Sequence, residues 1–144
     1  MTFSFESEPK IGQAAEAYSL KMIDFAKTTF GIDLNWSDES IRQIETIAAA
    51  LHEDYKKKHP TPEQVAHMYR MVGSYIGEVY RKNHGAEWGW VISPGGDRFP
   101  GLESASTRCW PWARAQKRIV DGPEDNIWHY YQYLLNPNTS TLAK

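Results

Sequence analysis

Between residues 9 and 29, Ile11, Ala15, Tyr18, Met22 and Phe25 recur at helical spacing. Pro9 suits the first turn of that helix, and Gly31 suits the position after its end. Leu20, Ile23 and Phe30 lie off the stripe, so the helix is expected to be covered on more than one side. A second stripe, Ile41, Ile44, Ala48, Leu51 and Tyr55, follows Ser37. Ser37 has the side chain of an N-cap, and Asp38 and Glu39 stand where the helix dipole favours acids. Lys56, Lys57, Lys58 and His59 crowd the far end. Cations there complement the dipole and stay solvated, so they read as a helix terminus rather than an anion site.

Pro60 breaks the chain, and Thr61-Pro62-Glu63-Gln64 reads as a capping box. A third helix over 62–83 follows. Its polar residues His67, Arg70, Ser74, Glu78 and Arg81 fall in one narrow wedge, and apolar residues cover most of the remaining circumference. An arc that wide predicts the central helix of the fold. Gly73 and Gly77 lie four apart on one flank. Each costs about 1 kcal/mol against Ala in a helix, so another element is expected to approach closely there.

Residues 86–110 change character. Glu87 to Ile92 is strand-like, Pro94 to Asp97 is a turn, and Ser104 to Cys109 is a candidate second strand. Two strands alone are marginal, and Ile32-Asp33-Leu34 is a candidate third. Pro111 opens a fourth helix from Trp112 to Val120, and Pro123 a fifth that ends near Leu135. The tail over 136–144 is expected to be loose. The pattern predicts a single α+β domain over 1–144, with about five helices around the central one and a small antiparallel sheet within 86–110.

Composition narrows the function. At 144 residues the chain has a one-domain length. A net charge of −2 is too little for a protein that holds nucleic acid mainly by charge. One cysteine allows no internal disulfide and no multi-cysteine zinc site. The start MTFSFESEPK has no basic and apolar stretch of a signal peptide, and the longest apolar run is Ile47 to Leu51. A cytoplasmic protein with no membrane span is expected. Aromatic residues make up 13%, a share that raises the question of which are core and which anchor a partner.

Candidate chemistry is sparse. Leu51-His52-Glu53 starts like a zincin helix, but the residue four after His52 is Lys56, so no metal is expected, nor any other cofactor. Cys109, between Arg108 and Trp110, reads as a buried core residue more than as a nucleophile. Glu78 and Glu87 flank the end of the third helix and the first strand, where two carboxylates can run acid–base chemistry if their environments differ. A small enzyme using them with Cys109 is one alternative. Residues 108–118 hold four cations, no acid and two Trp, a pattern that suits single-stranded RNA, and this is the other alternative. Trp88 and Trp90 share one strand face, and Trp110 and Trp112 form a second Trp-x-Trp pair. With Arg108 they are the candidate partner-binding residues.

Tyr75-Ile76-Gly77-Glu78-Val79, followed by Gly85-Ala86-Glu87-Trp88, resembles a motif in a family of small bacterial proteins. There a Y-(I/L)-G-E-V helix precedes a G-x-x-W strand. The likeness continues through Pro111-Trp112, Lys117-Arg118, Asp121-Gly122 and Tyr130-Tyr131, covering the second half of the chain. It implies no chemistry of its own. Some similar small proteins act as cytosolic immunity partners of interbacterial toxins. The resemblance thus implies a non-catalytic protein-binding domain whose partner is a toxin. Acids outnumber cations eleven to eight in the first half of the chain, a balance that suits a basic partner surface.

Overall fold

The structure, a computed structural model, describes residues 2–105 and 107–136. Helix α3, Pro62–His84, organises it. Its capping box is formed: Thr61 Oγ1 accepts the Gln64 N–H at 3.2 Å, and Gln64 Oε1 accepts the Thr61 N–H at 2.9 Å. Every residue from Met71 to Tyr80 is buried, so the wide apolar arc does sit at the centre. Helix α1, Pro9–Phe30, ends on Gly31 in the left-handed conformation that glycine adopts at least cost. It packs on one side of α3, and α4, Pro111–Val120, packs on another. Helix α2, Ser40–Lys58, lies against α4 and α5, Ile127–Leu135.

The two glycines of α3 are where neighbours come closest. A Cβ on Gly73 would stand 2.7 Å from Pro111 O and Trp112 Cα, both backbone atoms. A Cβ on Gly77 would overlap the six-membered ring of Trp88.

Two helix starts differ from the sequence reading. α2 begins three residues after Ser37, because a turn intervenes; Ser37 Oγ still accepts the Ser40 N–H, at 3.1 Å. The fifth helix begins at Ile127. Pro123–Asp125 form a separate 3-10 turn, and Asn126 caps α5 by accepting the His129 N–H at 2.9 Å.

The sheet is antiparallel, in the order β1-β2-β3-β4: Ser4–Ser7, Glu87–Ile92, Arg98–Glu103 and Arg108–Cys109. The second strand is therefore residues 98–103, and of the expected Ser104 to Cys109 only the last two residues pair, as an edge. The remaining partner of β2 is β1, not Ile32-Asp33-Leu34. That stretch belongs to the helices instead. The Ile32 N–H returns to Ala26 O, Leu34 is buried in the core, and the Trp36 N–H is donated to the Tyr75 hydroxyl at 3.0 Å. The loose tail expected after Asn136 lies outside the described residues.

The one buried arginine among the described residues is paired across the core. Arg118 is buried between α4 and α2 and donates to Glu45 from Nε at 3.0 Å and Nη2 at 2.8 Å. Glu45 Oε1 also accepts the Ile127 N–H at 2.8 Å, so one carboxylate joins α2, α4 and the start of α5. No helix among the described residues is long and apolar enough to cross a membrane.

Candidate functional site: an aromatic sheet face beside an acidic cleft

Side chains alternate across a strand, which puts Trp88 and Trp90 on one face of β2, whereas Trp110 precedes α4 and Trp112 lies within it. Trp88 is 4% exposed, inside the core. Its indole N–H is donated to Glu78 Oε2 at 3.0 Å. It has no surface to offer a partner. Trp112 leans against Trp88 with ring centres 6.2 Å apart and donates to Ser74 Oγ at 2.8 Å. Trp90 is half-buried against the same core, with the Arg98 guanidinium 5.2 Å from its ring centre. These three belong to the helix-covered side. Trp110 is on the other face.

That other face has its own small cluster. Phe5 on β1 and Phe99 on β3 stand opposite Val91 on β2. Val91 is fully buried, yet it lies outside the main core cluster. Trp110 reaches over Gly101, within 3.6 Å of where a Cβ would be, and Phe3 meets Trp110 edge-on at 5.9 Å. Helices α1 and α3 touch β2 through Trp88, on the opposite side. Phe3 is 41% and Phe99 43% exposed; with Leu20 they are the exposed large hydrophobics among the described residues. Arg108 rims this face, ion-paired to Glu103 and reaching Phe3 O at 3.4 Å. The sequence reading found Trp110 and Arg108 and missed Phe3, Phe5 and Phe99. Phe3-Ser4-Phe5 carries the alternation that could have revealed them.

Beside this face lies a cleft of about 410 Å³ where α1, the end of α3 and the start of β2 meet. Glu78, 1% exposed, forms its floor. The sequence reading placed it at the edge of a polar wedge. It is buried because Trp88 and Arg81 satisfy it: Arg81 donates from Nε to Oε2 at 2.7 Å and from Nη2 to Oε1 at 3.2 Å. The bond to Glu78 holds the Arg81 guanidinium above its usual pKa, against a smaller opposing effect of burial. Glu87 is exposed at the mouth and accepts a hydrogen bond from Ser7 Oγ. Glu8 and Glu16 line the α1 side.

Cys109 does not join these carboxylates. It is 2% exposed, beside the Tyr130 hydroxyl, and burial pushes its thiol up to about 12. Such a thiol is not a nucleophile at neutral pH. Three of the four cations of residues 108–118 are engaged within the molecule: Arg108 with Glu103, Arg114 with Asp125 at 3.0 Å, and Arg118 with Glu45. Lys117 alone of them has no ion pair among the described residues.

A larger open groove, about 940 Å³, lies away from the sheet between α1, α2 and the start of α3. Phe25, Leu51, Tyr55, Met68 and Met71 give it an apolar floor. No group of three or more His, Cys, Asp and Glu among the described residues is placed to hold a metal ion.

No family model matches this sequence, and no curated protein sequence does. A protein of known crystal structure from Bacteroides thetaiotaomicron VPI-5482 is similar in fold, with a TM-score of 0.67 over 95% of this chain. The two are 15% identical, so the likeness is one of fold alone, and this chain spans 48% of the length of that one.

Proposed function

We propose that the chain is a non-catalytic protein-binding domain that docks its partner on the Phe3, Phe5, Phe99 and Trp110 face of the sheet. The supporting observation is the aromatic cluster over Val91, which stands apart from the main core and keeps Phe3 and Phe99 exposed. Aromatic side chains at the centre of a face, ringed by paired charges, are the usual composition of a binding hot spot. The motif resemblance adds the class of partner: a bacterial toxin that the bound chain neutralises in the cytoplasm.

The test is a pull-down from the source cells with wild-type chain and Phe99→Glu in parallel. One stoichiometric protein captured by wild type and lost by Phe99→Glu supports docking on this face. If that protein is toxic alone and harmless when co-expressed with the chain, the immunity reading stands. Equal capture by both baits, with Phe99→Glu folded, removes the sheet face. A captured protein without toxicity removes immunity and leaves binding.

A further inference from the structure

Phe3 differs from the other aromatics of the outer sheet face in how it is held. Phe5 and Phe99 belong to the strands β1 and β3. Phe5 also lies on the bare backbone of Gly89, where a Cβ would stand 2.6 Å from its ring. Trp110, at the start of α4, lies over Gly101. Phe3 precedes β1, and the pairing of β1 with β2 starts at Ser4. It meets the face at Trp110 and Arg108. The Trp110 contact is edge-on at 5.9 Å, although β2 and β3 lie between β1 and β4. The Phe3 carbonyl accepts from Arg108 Nη1 at 3.4 Å, a long bond. The Nε and Nη2 donors of the same guanidinium are committed to Glu103.

Resting on the protein-binding reading above, we infer that Phe3 is a displaceable cover: residues 2 and 3 swing off the face when the partner docks, and an apolar side chain of the partner replaces the Phe3 ring against Trp110. Release of Phe3 returns one Nη1 donor to water and leaves the Glu103–Arg108 pair intact. The β1 ladder is untouched, because its first paired residue is Ser4. Phe3 is already 41% exposed, so its ring gives up only part of a full burial. Phe5, Phe99 and Trp110 stay in place as the anchors. Phe3 therefore competes with the partner, whereas Phe99 adds to its affinity.

The experiment uses the whole chain labelled with ¹⁵N, as wild type and as Phe3→Ala, with N-acetyl-phenylalanine amide as the probe. The Trp110 indole N–H reports binding. The Trp88 indole N–H, on the helix-covered side, reports that the fold is kept. The probe is expected to move the Trp110 signal along a saturating curve in both chains. Its Kd should be at least about threefold lower in Phe3→Ala, the factor for a site that is open about one third of the time. Deleting residues 2 and 3 removes the cover by a second route and should give the same gain. Equal or weaker binding by the two folded variants overturns the inference, because Phe3 is then part of the docking surface. A Trp110 signal that moves in none of the chains overturns it as well. The titration needs no partner, so it can fail while Phe99→Glu still loses capture. Failure to capture any protein ends the docking reading and leaves the titration as it stands.

Discussion

Trp88 rests its six-membered ring on the bare Cα of Gly77 and donates its indole N–H to the very next residue, Glu78. One turn of α3 thereby fixes both the depth and the rotation of the indole. The Arg81 ion pair closes the arrangement from the solvent side.

The two glycines predict different costs on substitution. Gly77→Ala meets the far end of one side chain, the Trp88 ring, whereas Gly73→Ala meets the backbone of Pro111 and Trp112 at 2.7 Å. Overpacking costs roughly 1–3 kcal/mol, and Ala recovers about 1 kcal/mol of helix propensity. Urea unfolding should show both variants destabilised, Gly73→Ala the more. The reverse order would mean that α4 yields more readily than Trp88.

The Glu45–Arg118 pair is 16% and 4% exposed. Arg118→Ala strands a carboxylate in the interior and should cost about 3–5 kcal/mol. The double variant Glu45→Gln/Arg118→Met keeps an acceptor for the Ile127 N–H and removes both charges. It should lie within about 2 kcal/mol of wild type. A double variant as unstable as Arg118→Ala would show that the charges themselves hold the three helices together.

Alkaline pH should weaken the fold. The Cys109 thiol rises from 9.0 to about 12 on burial, so between those values the unfolded chain has released a proton that the folded chain retains. Stability is then complete below about pH 9 and falls as pH rises toward 12, by about 1.4 kcal/mol per unit for this thiol. Burial pushes the Tyr75 and Tyr131 hydroxyls upward too, which adds to the loss above pH 10. Urea midpoints at pH 7, 9 and 10 should decline less steeply in Cys109→Ala than in wild type. Parallel declines would count against the thiol.

Phe99→Ala separates binding from folding. At 43% exposure the side chain contributes little to the core, so stability should change by less than about 1 kcal/mol. Loss of an interface anchor should weaken partner binding by about 2 kcal/mol or more, readable by calorimetry once the partner is in hand. Unchanged affinity would place the interface elsewhere.

The helices were legible because proline, glycine and the apolar period agree at the same boundaries. Thr61 to Gln64 is the clearest case, where the pattern and the hydrogen bonds coincide. β1 was barely legible. Its alternation needs Phe3, which lies outside the strand; Ser-Phe-Glu-Ser itself has one apolar residue and is an edge, and its partner lies more than eighty residues away. The burial of Glu78 was hidden for a related reason: its helix shows a carboxylate beside a polar wedge, while the indole that satisfies it comes from a strand. Among the candidate partner residues, Trp110 could not be told from Trp88 by composition. The difference between them is which face of the sheet each lies against, and that depends on a register no local pattern carries.

The pairing of β1 with β2 sets the order of events in biosynthesis. Residues 4–7 leave the ribosome before any of the strand they pair with has been made. The helices α1 and α3 can meet first, because both precede β2 in the chain. The aromatic face of the sheet is therefore among the last parts of the domain to take shape.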